Sequence, residues 1–187
     1  MRCASRQPGR QRPDPRNLLP VDGNRARTVE LYLLRHAHAG DALKWRGPDE
    51  RRPLSGKGEA QVERLAKLLK NNGFSPEAVI SSPKLRAVET AEPVAVALGL
   101  ELRVDARLGQ PLGLDELEAV LDDAGKPARV VLVGHDPDFS ALVAVLCHVP
   151  SVPVRKGALV RIDSERPLCP GCGTLRWLVP PELLPRA

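Results

Sequence analysis

The stretch Val29-Glu-Leu-Tyr-Leu-Leu-Arg-His-Ala37 closes a short, β-rich apolar run with an arginine beside a histidine. Two later fragments have the same character, because Ser81-Ser-Pro-Lys-Leu-Arg86 and Val133-Gly-His-Asp-Pro137 each follow a short apolar run. The run Arg129-Val-Val-Leu-Val133 has the continuous apolar pattern of a central parallel strand that is buried on both faces. Polar side chains therefore come directly after three predicted strands.

Helical patterns separate these strands along the chain. The periodicity predicts helices over 58–72, 83–98, 114–121 and 139–147, and strands over 29–34, 78–80, 102–104, 129–133, 157–162 and 174–179. This alternation predicts an α/β three-layer sandwich with a mostly parallel central sheet and helices on both faces. Ligands of such folds bind beyond the carboxyl ends of the strands, so we expect His36, Ser82 and His135 to lie at one edge of the sheet.

The composition predicts one domain with a mostly aliphatic core. The chain has 187 residues, of which 42% are hydrophobic and only 3% are aromatic. Seven arginines against Asp14 and Asp22 in residues 1–28 account for the whole formal net charge of +5, so residues 29–187 are balanced. This balance and the scarcity of aromatic rings argue against nucleic-acid binding by the folded domain.

Residues 1–28 are rich in arginine and proline and carry no apolar stretch, which predicts a disordered basic arm ahead of a domain over 29–187. The arm is either an unstructured extension, or the result of a start assigned too far upstream of Val29, or a segment that contacts nucleic acid or an acidic surface. The chain shows neither the apolar core of a secretory signal nor a segment long enough to span a bilayer. We therefore expect a soluble, cytoplasmic monomer that does not bind membranes.

An arginine beside a histidine at a strand end suits the transfer of a phosphoryl group. A neutral imidazole is a competent nucleophile toward phosphorus, and an unperturbed pKa of ~6.5 leaves His36 mostly unprotonated at cellular pH. The guanidinium groups of Arg35 and Arg86 match the geometry of phosphoryl oxygens and stabilise their charge in the transition state. They also disfavour a further cation at His36. His135 would add another donor from the opposite side.

The other histidines and the cysteines carry weaker signals. His38 could form a His-x-His metal pair with His36, but no carboxylate cluster at ligand spacing accompanies it, so we interpret it as a residue at the rim of the pocket. His148 follows an apolar helix and is expected to cap that helix or to lie on the surface. Cys169-Pro-Gly-Cys172 predicts a hairpin turn between the last two strands, with a metal-ligand pair or a labile disulfide as alternatives.

The chain resembles the histidine phosphatase superfamily, whose Arg-His-Gly signature has its counterpart in Arg35-His-Ala37, and more narrowly it resembles SixA-type phosphohistidine phosphatases. The resemblance covers residues 29–184 and implies a phosphoglycerate mutase-like fold. Ser55 and Ser82 fall at motif positions, and we interpret them as structural residues that hold a helix start and a turn. The matching segments are LYLLRHAHAG at 31–40, RPLSGKG at 52–58, ISSPKLRAVETA at 80–91, LVGHDP at 132–137, and the closing strands with GALVRID and TLRWLVPPEL.

The resemblance also implies a set of site residues. It makes His36 the catalytic residue that becomes phosphorylated, and His135 the residue that completes the pocket. Arg35 and Arg86 correspond to the residues that bind the phosphoryl group. The resemblance implies no metal and no organic cofactor.

One position departs from the family pattern. Family members that cleave ordinary phosphate esters supply a carboxylic acid from the loop after the third strand, where this chain has Arg107. Asp105, Asp115 and Glu116 are the nearest substitutes, and none of them matches that position well. An alkoxide needs a general acid, whose help is typically worth about 10²- to 10⁴-fold in rate, whereas an imidazole with a pKa near ~6.5 leaves with little assistance.

A pocket that is poor in acids favours phosphoramidates over alkyl phosphates. We therefore expect a hydrolase that acts through a covalent phosphohistidine on phosphohistidine of a partner protein, such as a phosphorelay domain. The short chain agrees, because it leaves little material for an insertion that would enclose a small metabolite. Two alternatives stay open: a phosphatase of nucleotide or sugar phosphates with Asp115 or Glu116 as proton donor, and a module that binds a phosphorylated partner without turnover.

Overall fold

A six-stranded sheet forms the centre of the protein. The structure is a computed structural model that describes residues 28–184. The arm predicted over 1–28 therefore lies outside the described residues, apart from Thr28, which belongs to the first strand and not to the arm. The strands are β1 (Thr28–Arg35), β2 (Ala78–Ser81), β3 (Leu102–Val104), β4 (Arg129–Gly134), β5 (Leu159–Glu165) and β6 (Gly173–Val179).

The strand order is β3-β2-β4-β1-β5-β6. β5 is antiparallel to both of its neighbours, whereas the other neighbouring pairs are parallel, so five of the six strands run in the same direction. This order confirms the prediction of a mostly parallel sheet. It places the carboxyl ends of β1, β2 and β4 next to one another.

Helices cover both faces of the sheet, as predicted. They are α1 (Gly56–Asn71), α2 (Leu85–Leu98), α3 (Leu114–Asp123) and α4 (Asp138–Cys147). Successive side chains of β1 alternate between the faces: Leu34 packs in one apolar cluster with α1 and α2, and Leu33 in another with α3 and α4. Both leucines are fully buried, and each such burial contributes about 1.5–3 kcal/mol. These clusters hold the site-bearing strand in the middle of the fold.

The helix boundaries differ from the predicted ones by at most two residues. α2 was expected to begin at Pro83 but begins at Leu85, because Lys84 is extended and its backbone N–H bonds the Oγ of Ser82 at 3.3 Å. The helix ends at Gly99, as predicted, in the left-handed conformation that glycine adopts without strain. The turn at Ser82 joins the end of β2 directly to the start of α2.

The connecting segments include two features that the sequence left open. The loop after β1 contains two single 3₁₀ turns, Ala42–Lys44 and Asp49–Arg51. The β5–β6 connection carries Cys169 and Cys172, whose sulfurs are joined as a disulfide within the predicted turn. No helix of the described residues is long and apolar enough to cross a membrane.

Candidate active site

Three strand ends meet at the predicted edge of the sheet. The backbone N–H of His36 bonds the carbonyl of Gly134 at 3.0 Å, which joins the end of β1 to the end of β4. The backbone N–H of Ser82 bonds the carbonyl of Val133 at 2.9 Å, which joins the end of β2 to the same strand. The ring centroids of His36 and His135 consequently lie 5.2 Å apart. The sequence thus predicted correctly which strand ends come together.

The imidazole of His36 is oriented with one nitrogen unprotonated. Its Nδ1 lies 2.8 Å from the carbonyl oxygen of Ala37, and its Nε2 lies 3.3 Å from the Nε of Arg86. A carbonyl only accepts and a guanidinium only donates, so Nδ1 carries the proton and Nε2 carries the lone pair. Burial, followed by the nearby His135 and Arg86, lowers the pKa of His36 to about 3. The ring is therefore neutral at physiological pH, as a nucleophile must be.

His135 faces the same pocket as a neutral ring. Burial, followed by the charges of Arg86 and Lys84, lowers its pKa to about 3. Its Nε2 lies 2.8 Å from the Oγ of Ser82, and its Nδ1 is buried without a hydrogen-bond partner. When the serine hydroxyl donates to Nε2, the proton of the neutral ring resides on Nδ1. Ser82 thus contacts a site histidine in addition to shaping the turn that we assigned to it.

Arg35 is held by a closed ring of contacts. Its Nη1 donates to the carbonyl of Val154 at 2.7 Å and lies 3.6 Å from the carboxylate of Asp136. The other carboxylate oxygen of Asp136 accepts from the Oγ of Ser140 at 2.6 Å, and that Oγ accepts the backbone N–H of Val154 at 3.0 Å. We call these contacts the Arg35 ring. They leave the Nε of Arg35 buried and unpaired.

Two buried nitrogens lack a partner: the Nε of Arg35, which is a donor, and the Nδ1 of His135, which is a donor when Ser82 donates to Nε2. They are the only buried, unpaired side-chain polar atoms that the described part of the chain contains. A buried donor without an acceptor costs about 1–3 kcal/mol. The oxygens of a bound phosphoryl group would supply acceptors to both of them.

The structure adds two residues that the sequence analysis did not assign. Asp49 accepts from the Nη2 of Arg86 at 2.9 Å through its carboxylate and from the Nη1 of Arg86 at 2.7 Å through its backbone carbonyl. The other carboxylate oxygen of Asp49 accepts from the Nε of Arg52 at 3.0 Å, and Arg52 is itself buried. The charges of Arg52 and Arg86 outweigh partial burial and lower the pKa of Asp49. The charged sequence Asp49-Glu-Arg-Arg52 is equally typical of a solvated loop, so it gave no signal of these contacts.

Two of the three candidate proton donors, Asp105 and Glu116, lie in structural roles. Arg107 bonds Asp105 and Asp123 in an ion-pair network at the surface. Hydrogen bonds from Arg107 lower the pKa of Asp105. Glu116 accepts the backbone N–H of Gly113 at 3.0 Å and so caps α3. The hydrogen bonds of both carboxyl groups go to these partners and not to residues around His36.

The two remaining predicted features are also placed. Ser55 caps α1 as expected, and its Oγ lies 2.7 Å from the Nδ1 of His38. His148 is the exposed cap residue at the end of α4, which confirms its assignment. Over residues 28–184, no group of three or more His, Cys, Asp or Glu side chains is arranged to hold a metal ion.

The chain is similar to proteins of one family. Residues 31–110 match the sequence model of the histidine phosphatase superfamily (branch 1). An uncharacterised protein of Picosynechococcus sp. is 39% identical over 114 residues, which cover 59% of this chain and 68% of that protein. Phosphohistidine phosphatase SixA of Escherichia coli (strain K12) is 29% identical over 160 residues, which cover 82% of this chain and 94% of that protein. The solved structure of the protein histidine phosphatase SixA complexed with tungstate has a TM-score of 0.71 at 27% identity and covers 84% of this chain and 100% of that chain.

Proposed function

The chain is a phosphatase that belongs to the histidine phosphatase superfamily, and we propose that it transfers the phosphoryl group of phosphohistidine, or of another phosphoramidate, to His36 before water releases phosphate. The observation that carries this proposal is the unprotonated Nε2 of His36, whose lone pair is set by the hydrogen bond from Nδ1 to the carbonyl of Ala37. It accepts a hydrogen bond from the guanidinium of Arg86, and the two buried, unpaired nitrogens belong to the neighbouring Arg35 and His135. A nucleophile and an oxyanion site are thus combined in one pocket.

The geometry supports an in-line displacement at phosphorus. The Nε2 of His36 forms the new N–P bond while the bond to the leaving group breaks on the opposite side. The Nε–H of Arg86, which bonds that lone pair in the structure, moves to a phosphoryl oxygen when the lone pair attacks. The Nε of Arg35 and the Nδ1 of His135 bind the other oxygens. A water molecule then attacks phosphorus from the vacated side, releases phosphate and restores neutral His36.

The proposed substrate class follows from the ionisation and the position of the carboxyl groups near the pocket. An imidazole that carries a proton on its other nitrogen leaves as a neutral molecule, so the protein need not supply a proton. An alkoxide would need a general acid, but Asp49, the carboxyl group that contacts Arg86, has a lowered pKa and is ionised. Arg107 and its carboxylate partners form a separate surface network. The similarity to phosphohistidine phosphatase SixA agrees with a P–N substrate borne by a partner protein.

A substrate panel tests the proposal. The purified full chain is assayed on free phosphohistidine, on inorganic phosphoramidate, on para-nitrophenyl phosphate and on several sugar and nucleotide phosphates. We expect kcat/KM to be highest for the two P–N compounds and unchanged by a chelator. A preference for an alkyl phosphate, or loss of activity with the chelator, would overturn the corresponding part of the proposal.

A pair of histidine variants tests the intermediate. His36→Ala should abolish turnover, whereas His148→Ala, which replaces an exposed helix cap, should retain it. The wild-type protein should incorporate phosphate in a form that acid removes and alkali does not. Full activity in His36→Ala, or an acid-stable adduct, would contradict the covalent mechanism. Binding of a phosphorylated partner without release of phosphate would instead identify a phosphoryl-binding module.

A further inference from the structure

The peptide group between His36 and Ala37 is held by a side chain of α2. Its N–H donates to the Oγ1 of Thr90 at 3.1 Å, and the hydroxyl of Thr90 donates to the backbone carbonyl of Arg86 at 2.6 Å. Thr90 is fully buried. Its hydroxyl therefore joins the backbone that follows the nucleophile to the first turn of the helix that carries Arg86. Neither hydrogen bond involves a side chain that holds the phosphoryl group.

The next peptide group, between Ala37 and His38, is held by a side chain of α1. Its carbonyl accepts the Nδ1–H of His36 at 2.8 Å, and its N–H donates to the Oε1 of Gln61 at 3.0 Å. One peptide group thus connects the amide of Gln61 to the imidazole of the nucleophile. Hydrogen bonds at the two ends of a peptide group polarise one another, so Gln61 strengthens the carbonyl of Ala37 as an acceptor.

Both side chains occupy helix faces that are otherwise mostly apolar. Gln61 is 7% exposed and lies on the buried face of α1 with Val62 and Leu65. Thr90 lies on the buried face of α2 with Ala91 and Val94. A buried polar side chain costs free energy unless it is hydrogen-bonded, and these two find their partners in the backbone after His36.

The imidazole of His36 becomes positively charged when it is phosphorylated. The lone pair of Nε2 forms the N–P bond, the bond from phosphorus to the leaving group breaks, and Nδ1 keeps its proton. The ring stays a cation until water attacks phosphorus and the electrons of the N–P bond return to Nε2. A hydrogen bond from a charged donor is about twice as strong as a neutral one. The carbonyl of Ala37 therefore stabilises the intermediate more than the free enzyme.

We propose that Gln61 and Thr90 are positioning residues for the covalent step. By fixing the two peptide groups after His36, they hold the carbonyl of Ala37 at Nδ1 and so keep the lone pair of Nε2 directed at phosphorus. We call these two side chains the peptide clamp. The inference rests on the proposed function and extends it to two helices whose side chains do not touch the phosphoryl group.

Gln61→Met tests the peptide clamp, because methionine has a similar length but is only a weak acceptor. In protein that contains isotope-labelled histidine, NMR should show the proton of wild-type His36 on Nδ1 alone, with the signals of His36 identified by their loss in His36→Ala. In Gln61→Met the ring should become a mixture of both tautomers. Gln61→Glu keeps an oxygen acceptor and should restore the single tautomer.

The kinetic effect should fall on the chemical step. In Gln61→Met, kcat for phosphoramidate should fall about tenfold, whereas the dissociation constant of inorganic phosphate should change by less than about twofold. The reason is that Arg35, Arg86 and His135 keep their contacts while the nucleophile loses its orientation. Gln61→Glu should recover most of kcat.

Thr90→Val provides a second variant on the other helix. Valine keeps the shape of threonine but leaves the N–H of Ala37 and the carbonyl of Arg86 without their partner. We expect the same mixture of tautomers and a similar loss of kcat, both of which Thr90→Ser should reverse. Leu65→Ala and Val94→Ala remove buried apolar side chains from the same two helices. These controls should lower the melting temperature without changing the tautomer or kcat.

The outcomes separate the peptide clamp from the proposed function. If Gln61→Met lowers the melting temperature but leaves the tautomer and kcat unchanged, Gln61 only stabilises the fold and the proposal is overturned. Equal losses of phosphate binding and of kcat would also overturn it, because the whole pocket would then be distorted. Failure of the wild type to hydrolyse phosphoramidate would overturn the proposed function, and the NMR comparison would still decide whether the peptide clamp sets the tautomer of His36.

Discussion

Replacing Ser140 tests whether the Arg35 ring matters for catalysis. Ser140→Ala removes the hydrogen bond to the carboxylate of Asp136 and leaves the backbone N–H of Val154 without its acceptor. Both groups position Arg35, through an ion pair at 3.6 Å and through the carbonyl of Val154 at 2.7 Å. Ser140 does not itself contact the residues on which the reaction occurs. It is therefore a positioning residue, whose effect reaches the phosphoryl group only through Arg35.

The magnitude follows from the contacts that are lost. A hydrogen bond to a charged group contributes about 1.5–3 kcal/mol, and about 1.4 kcal/mol corresponds to a tenfold change. If the Arg35 ring is needed in the transition state, kcat/KM for phosphoramidate should fall about 10- to 100-fold in Ser140→Ala. The inhibition constant of tungstate, a tetrahedral oxyanion, should rise in parallel. Ser140→Thr keeps a hydroxyl group and should recover part of the loss.

A second buried serine supplies the control. Ser164 is 2% exposed and its Oγ also makes a hydrogen bond, to the carbonyl of Glu165. It pairs with Val29 at the start of β1, which is the edge of the sheet opposite to the site. Ser164→Ala should lower the melting temperature without changing kcat/KM. If Ser140→Ala behaves in the same way, the Arg35 ring stabilises the fold alone and the reasoning is refuted.

Three further predictions concern pH, charge and packing. The pKa values of His36 and His135 are lowered in the folded protein, so the unfolded chain binds more protons below pH 6.5. At pH 5 each histidine should therefore lower the free energy of unfolding, measured in urea, by about 2 kcal/mol. A pH dependence of this free energy that is unchanged in His36→Gln would contradict the assignment. Asp49→Asn removes the carboxylate charge that pairs with Arg86. The dissociation constant of inorganic phosphate should therefore decrease a few-fold in a calorimetric titration. An increase would show that Asp49 chiefly positions Arg86. Gly58→Ala should lower the melting temperature and the activity because its Cβ would collide with the carbonyl of His38, whereas Gly56→Ala in the same helix meets nothing within 4 Å and should be tolerated.

The parts of the site that lie at strand ends could be predicted from local sequence patterns. The apolar runs before His36 and His135 are short and β-rich, and parallel strands bring their carboxyl ends together. Knowledge of the strands therefore placed both histidines without any tertiary information. The first turn of α2 follows the next strand end, which is why Arg86 was also placed correctly.

The contacts that orient these residues could not be predicted in the same way. The Arg35 ring joins residues from β1, from α4 and from the segment before β5, and its closure depends on a backbone carbonyl and a backbone N–H. Asp49 and Arg52 lie in a charged run whose spacing is equally typical of a solvated loop. Ser82 was assigned to a turn, and its contact with His135 exists only because β2 and β4 are neighbours. Pairings across distant segments have no local periodicity to reveal them.

The exposure of the two carboxylates indicates which arginine–carboxylate ion pair breaks when a phosphoryl group binds. Each arginine has a carboxylate partner, Asp136 for Arg35 and Asp49 for Arg86. The side chain of Asp136 is 24% exposed and is tied to Ser140, whereas that of Asp49 is 52% exposed and lies on a single 3₁₀ turn. Displacing the more exposed carboxylate costs less, because water solvates it readily. We therefore expect an incoming phosphoryl group to replace Asp49 at Arg86 while Arg35 keeps its partner, so that Arg35 is fixed in advance and Arg86 moves with the reaction.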